Sequence, residues 1–288
     1  MATLTPATAA AAAAAAAAPA PPTEGDVATT TVMIGGQAVP VTGGPGVSAE
    51  AVAAAVASVP FKDWAAGMDA NLIVSSVRIQ GVDFFGERVG FIKFATATTF
   101  HGHRMPGLVF MRGGAVAILV VLRCGGEAWA LCCRQPRVPI GASSFLEIPA
   151  GMLDGSGHFA GVAAKEMKEE TGLEIDDGAL FDLTAAVYDG ADGAAPARGM
   201  YPSAGACDEF LRLLYYAKEV SAEELAGLRG KATGCIEEGE AITLDVVRLD
   251  QLWRLAPDAK TLCAILLAEK LAAAGRLPYV TDPPKPSS

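Results

Sequence analysis

Gly151–Leu173 reads GMLDGSGHFAGVAAKEMKEETGL, a glycine-rich loop running into a helix that carries glutamates. Ala160–Thr171 has helical spacing, and Gly172 is a natural stop just past the last turn. Residues three and four apart share a helix face. Glu166, Glu169 and Glu170 therefore fall on one side, while Ala160, Ala164 and Met167 occupy another that can pack on a sheet. Three like charges on one face repel, at ~0.2–0.5 kcal/mol per exposed pair, and partial burial raises the cost. A hard divalent cation removes that repulsion, since Mg2+ prefers carboxylate oxygens, waters and phosphates. The plainer alternative is a solvated charged face in which Lys165 and Glu169 form an i,i+4 ion pair.

Outward from this run the spacing predicts a main α/β domain over residues 112–275. Ala115–Leu122 and Ala128–Cys133 form a hairpin across Gly125-Gly126, its first strand buried on both faces. Leu183–Val187, Leu211–Tyr215 and Ile242–Val247 read as strands, Leu249–Trp253 and Ala259–Ala274 as helices. The Gly-, Ala- and Pro-rich stretch Asp189–Gly205 reads as a long loop over the site. Residues 61–111 carry short alternating strands, with a Phe85-Gly86-Glu87 turn, and read as a small β subdomain. Residues 1–60 include an alanine tract, Ala9–Ala18, and have no Lys, Arg or His before Lys62. They are expected to be a disordered tail or a targeting segment for the chloroplast, the alternative being a cytoplasmic protein; a short helix over Ala49–Ala57 is compatible with either. Residues 276–288 read as a C-terminal tail.

The net charge of −10 argues against broad binding to nucleic acid or an anionic membrane surface. An anionic substrate must then be met locally, by bound cations and a few placed arginines. The longest apolar run of interest to a membrane, Ala115–Leu122, is far short of the ~20 residues a spanning helix needs. Six cysteines lack zinc-type spacing and only three histidines occur, which speaks against a zinc site.

The order strand, Pro149-Ala150-Gly151 turn, loop, glutamate helix, Gly172 resembles the Nudix box. Gly151, Glu166, Met167, Glu169, Glu170, Gly172 and Leu173 match it in register; Gly157 stands where its first glutamate belongs, and Lys165 replaces its arginine. Asp154 is the nearest acid that could stand in for the missing one. Beyond the box, Arg134-Gln135-Pro136-Arg137, Leu146-Glu147-Ile148-Pro149-Ala150-Gly151, Ser203–Glu209 and Glu237–Glu240 resemble the ADP-ribose and ADP-sugar branch of that family. Gln80–Asp83, Cys207–Glu209 and Leu252-Trp253-Arg254 are similar to plant ADP-sugar diphosphatases, over about residues 60 to 275.

The resemblance implies an α/β (α+β) fold, a Nudix α/β/α sandwich with an N-terminal antiparallel β subdomain. That subdomain would help hold the nucleotide and form a homodimer. It implies Mg2+, with Mn2+ as a substitute, held by the Ala150 carbonyl, Glu166 and Glu170 and supported by Glu169. Arg137 would grip the diphosphate, Glu147 would orient Arg137 or a metal-bound water, and Glu209 would meet the substrate. Glu238 or Glu240 would take a proton from the attacking water, the choice between them staying open. The implied reaction hydrolyses a nucleotide sugar: ADP-glucose to AMP and glucose 1-phosphate, or ADP-ribose to AMP and ribose 5-phosphate. The alternatives are another nucleoside diphosphate derivative as substrate, or a catalytically weak domain that senses nucleotide. Trp64, Phe84, Phe85 and Trp129 could stack on adenine but serve equally as core or contact residues.

Overall fold

The computed structural model describes residues 29–153, 159–173, 175, 177–189, 198–234 and 241–278, with only the backbone of Glu166 and Asp177. They fall into two compact units that meet in sequence between Arg112 and Gly113.

In the first unit, β1 (Thr29–Ile34), β2 (Gln37–Gly43), β3 (Leu72–Phe85), β4 (Arg88–Phe100) and β5 (His103–Met105) pair in that order, and β6 (Leu108–Met111) joins β4. Every pairing is antiparallel except β2 with β3, so the expected antiparallel subdomain is in fact mixed. A parallel pair needs a crossover. Here α1 (Ala49–Ala57) and α2 (Val59–Ala66) provide it, capped by the side chains of Ser48 and Ser58. Val39, Val41, Val52, Phe61, Val77, Ile79, Ile92 and Phe94 are buried between these helices and the sheet. Trp64 packs at 5.5 Å on Phe61 and 5.0 Å on Phe94, which makes it a core aromatic.

The expectation of a tail through residue 60 is corrected from residue 29 onward. Val39, Val41 and Val52 are few and small, yet Val39 and Val41 on β2 and Val52 on α1 share one buried core with Val77 and Ile79 of β3, and Val41 pairs with Val77 thirty-six residues later. The helix over 49–57 is present. Residues 1–28 and 279–288 lie outside the described residues.

The second unit is built on β7 (Ala115–Cys124), β8 (Glu127–Arg137), β9 (Ala142–Glu147), β10 (Ala150–Met152), β11 (Phe181–Asp182), β12 (Leu211–Glu219), β13 (Ala232–Thr233) and β14 (Ile242–Arg248). The sheet runs β11-β12-β7-β8-β14-β13, with β7 and β12 parallel. Side chains alternate across it. Val116, Ile118, Val120, Leu131 and Leu244 face α3 (Phe159–Thr171) and α5 (Ala222–Leu228). Ala117, Leu119, Val121, Ala130 and Leu213 face α4 (Leu183–Tyr188), α6 (Leu249–Leu255) and α7 (Ala259–Ala273). The result is a sandwich of helices on both faces. Leu183–Val187, expected as a strand, is helix α4 instead: the Asp182 side chain caps it by accepting from the Ala185 N–H at 2.8 Å.

One departure from a regular sheet positions everything below. β7 and β8 pair only from Val120 and Leu131 to the Cys124/Glu127 turn. Away from the turn they part, and β10 joins β7 at Ala115–Ala117 while β9 joins β8 at Cys133–Arg137. The split brings strand ends, the α3 face and the α7 face to one place. No helix among the described residues is long and apolar enough to cross a membrane.

Candidate active site

Helix α3 is fixed in depth before any charge is considered. Val162, Ala163 and Met167 pack under the sheet. At its end Gly172 adopts φ +72°, and its N–H donates to the Lys168 carbonyl at 2.9 Å. The Thr233 hydroxyl on β13 donates to the Glu170 carbonyl, and Thr171 Oγ1 donates to the Met167 carbonyl at 2.6 Å. This turn drives the Glu170 side chain inward. The carboxylate is buried, and its Oε2 accepts from the Ala150 N–H at 3.2 Å and from Cys133 Sγ at 3.8 Å.

Cys133 and Glu147 are direct cross-strand partners, so their side chains share the α3 side of the sheet. Two residues on, the register slips by one between Gln135 and Arg137. Pro136 has no N–H to give the ladder, and the extra residue lies on β9, where Ser143 and Ser144 stand against Pro136 alone, so Arg137 keeps the side of the strand that Cys133 occupies. Arg137 Nε donates to Glu147 Oε1 at 2.7 Å, and the Lys260 ammonium donates to Glu147 Oε2. Lys260 also donates to Asp258 Oδ1 at 3.1 Å. Asp258 Oδ2 in turn accepts from the Thr261 hydroxyl at 2.5 Å, and Thr261 Oγ1 accepts from the Ile148 N–H at 3.2 Å. Burial pulls the Arg137 pKa down, but the hydrogen bond to Glu147 and the charges of Glu147, Glu170 and Asp258 outweigh it, leaving the pKa above its ordinary value.

The structure thus brings Arg137, Glu147, Ala150 and Glu170 together, with Cys133 between the carboxylates. Glu169 is 52% exposed, with Lys165 Nζ 3.7 Å from its Oε1 and Lys165 itself 72% exposed. The plain i,i+4 pair is what forms. Glu209 is half-buried, next to Asp208, whose two carboxylate oxygens each accept from the Gly113 N–H at 3.2 Å. Glu238, Glu240, Asp154 and Gly157 lie outside the described residues, as does the Glu166 side chain.

Among the described residues no three His, Cys, Asp or Glu side chains are gathered as a metal site. The donors around Glu170 nevertheless suit a hard cation. Burial first, and then the charge of Glu170 with Cys132 and Glu147 behind it, pushes the Cys133 thiol far above its ordinary range. In this arrangement Cys133 Sγ donates to Glu170 Oε2. The carboxylate and main-chain oxygens at the same place are donors that suit Mg2+ or Mn2+. Glu166 stands one helical turn before Glu170, so its backbone position fits the same cation.

Residues 111–264 match the NUDIX domain. The chain belongs to the Nudix hydrolase family. It is 39% identical over 238 residues to Nudix hydrolase 14, chloroplastic, of Arabidopsis thaliana, spanning 78% of this chain and 74% of that one. An uncharacterized Nudix hydrolase of Schizosaccharomyces pombe is 39% identical over 74 residues, 26% of this chain and 34% of the relative. A crystal structure of an ADP compounds hydrolase covers 72% of this chain and 97% of its own at a TM-score of 0.47 and 16% identity, a likeness that carries nothing about substrate. Nudix hydrolases cleave nucleoside diphosphate derivatives and generally use divalent metal ions such as Mg2+. The box of this Nudix chain is the β10–α3 unit.

Sequence reading missed Lys260, Asp258 and Thr261. A signal was present: a lysine in the first turn sits at the positive end of the helix dipole, where an acid is favoured. That misfit calls for a local anion, and Glu147 is one. It also missed Arg212 on β12, buried, which holds Asp182 Oδ2 at 2.6 Å through Nη2 and lies 4.9 Å over the ring of Phe159, the first residue of α3.

For the departure at Lys165, the exposed pair predicts a small effect. Lys165→Ala should lower helix stability by ~0.3–0.5 kcal/mol and leave kcat within about twofold of the parent. Steady-state kinetics beside a thermal melt will check this, and a tenfold fall in kcat would return Lys165 to the site.

Proposed function

We propose that this Nudix hydrolase is an ADP-sugar pyrophosphohydrolase dependent on Mg2+, with Mn2+ as a substitute. It would convert ADP-glucose and water to AMP and glucose 1-phosphate, and ADP-ribose and water to AMP and ribose 5-phosphate. The observation that carries the reading is the buried Glu170 carboxylate folded onto the Ala150 backbone, in the same cluster as the Arg137–Glu147 pair. A diphosphate needs two things there, a divalent cation and a planar cationic fork, and this cluster has a place for each.

In this reading the Ala150 carbonyl and the carboxylates of Glu166 and Glu170 hold the metal, and Glu169 adds negative charge at the rim. Mg2+ bound there supplies a water of lowered pKa and charge against the leaving phosphate. Arg137 grips the diphosphate through its terminal nitrogens, Glu147 fixes the direction in which Arg137 points, and Glu209 meets the substrate. Glu238 or Glu240 takes the proton from the attacking water as its oxygen bonds to phosphorus and the bridging oxygen departs. Gly157 and Lys165 favour the second reading, a nucleotide-binding domain with little turnover.

Product analysis with ADP-glucose and ADP-ribose in parallel, with Mg2+ and with EDTA, tests the substrate. Glu166→Gln and Glu170→Gln should each cut turnover by more than about a hundredfold, beyond what loss of an outer-shell partner costs. Glutamine at 170 still offers an oxygen to the Ala150 N–H, so the melting temperature should hold. Near-parental Mg2+-dependent rates in both variants would sink the metal assignment, and binding without turnover in the parent would establish the sensor.

The partner in this reading is a second copy of the chain, met through the first unit. The outward face of β3, β4 and β6 carries Phe85, Phe91 and Phe110 in edge and tilted contacts at 5.1 and 5.2 Å, with Phe85 and Phe110 exposed. Exposed aromatic patches of this kind mark contact surfaces. Light scattering should give a dimer at micromolar concentration and a monomer for Phe110→Glu; a monomeric active parent would count against it. The chloroplast is the proposed location, supported by the similarity to the chloroplastic Nudix hydrolase 14 of Arabidopsis thaliana. A fluorescent fusion of the full chain that stays in the cytosol of leaf cells would overturn it.

A further inference from the structure

Lys260 has no role in the chemistry above, yet it is built into the cluster from three sides. It enters from the unfavourable end of the α7 dipole. Its side chain is 12% exposed and lies between the Glu147 and Asp258 carboxylates. Asp258 is itself tied down as the α7 cap and through Thr261. The two cations divide Glu147 between them: Arg137 Nε takes Oε1 and Lys260 takes Oε2. Among the described residues nothing hydrogen-bonds the Nη1 or Nη2 of Arg137, and its side chain is 40% exposed.

A guanidinium beside a carboxylate prefers to lie side-on and donate two parallel bonds. That pose would spend Nε together with one terminal nitrogen on Glu147. With Oε2 already taken by Lys260, Arg137 is confined to a single bond through Nε. We propose that Lys260 is a positioning residue for substrate: by occupying one oxygen of Glu147 it holds both terminal nitrogens of Arg137 available to an anionic diphosphate. The inference rests on the reading that Arg137 meets the diphosphate.

A purely structural Lys260 would move stability alone, so the test reads affinity. KM and kcat for ADP-ribose are measured with Mg2+ on the full chain, and Kd for ADP-ribose is measured by calorimetry in EDTA, where no turnover occurs. Lys260→Met lets Arg137 swing side-on, and one charged hydrogen bond to the substrate is lost. KM and Kd should rise roughly tenfold while kcat stays within about threefold. Lys260→Arg should restore most of the affinity. The double variant Glu147→Gln/Lys260→Met removes the most buried charge together with its lysine partner, and Asp258 keeps its hydrogen bonds from Thr261, so it serves where Lys260→Met does not fold. Its KM should be raised as well, because Arg137 has lost its anchor. Parental KM and Kd in Lys260→Met, or in the double variant, with only the melting temperature lowered would overturn the proposal and leave the reading of Arg137 standing. Parental affinity in Arg137→Ala would overturn that reading and the proposal together.

Discussion

Glu147 is a carboxylate with almost no contact with water, at the place where β7 and β8 part. Taking such a group out of solvent costs several kcal/mol, and one partner does not satisfy both of its oxygens. Here the chain supplies two, Arg137 from the end of β8 and Lys260 from the start of α7. Loss of either would leave one oxygen of a buried carboxylate without its donor, at about 1–3 kcal/mol. The arrangement therefore locks three elements to one another: β8, β9 and α7 cannot shift without breaking a contact of Glu147. Thr261 adds a third tie, to the backbone just after Glu147, at Ile148. The next turn leads to Ala150 and Glu170. A buried ion cluster gives little net stability over apolar packing. What this one fixes is direction, in the strand ends from which a diphosphate would be met.

Helix α3 solves a related problem. Its inner face must pack as hydrocarbon while its next face carries acids. Met167 is fully buried and Glu170, three residues on, is nearly so, because the Ala150 N–H and the Cys133 thiol meet the carboxylate where the sheet splits. Glu169, one position away around the helix, turns to solvent and pairs with Lys165. The single glutamate face expected from spacing is thus divided by burial into an inward and an outward acid. Helical periodicity gives angles, but it does not give the height of the neighbouring strand.

What could be read in the residues and what could not follows the same line. β7 was legible because an apolar run buried on both faces needs no partner to be named, and α3 because its stop and its acids are local. β12, β14 and α7 were legible for the same reason. The failures are largely non-local. Leu183–Val187 has the apolar content of a strand, although the Asp182 cap beside it is a local helix signal; Arg212, which holds Asp182 in place, comes thirty residues later. Val39 and Val41 look too sparse for a core until β3 arrives beside them. Lys260 lies 113 residues from Glu147, and no window of sequence contains both.

The acidity of the chain gives the cluster its meaning. With a net charge of −10 the protein as a whole repels a nucleoside diphosphate, so attraction has to be produced at one point. The described cations around that point are already spoken for: Lys260 sits between two carboxylates, Arg134 is 2.8 Å from Asp245, and Arg137 holds Glu147. Three carboxylates, Glu147, Asp258 and Glu170, stand against the positive charges of Arg137 and Lys260, so the local sum is still negative. A divalent cation bound there would reverse the sign, so a diphosphate should be held more tightly with the metal than without it. An acidic site with one well-aimed arginine thus makes affinity depend on metal. An array of free lysines would hold any passing anion.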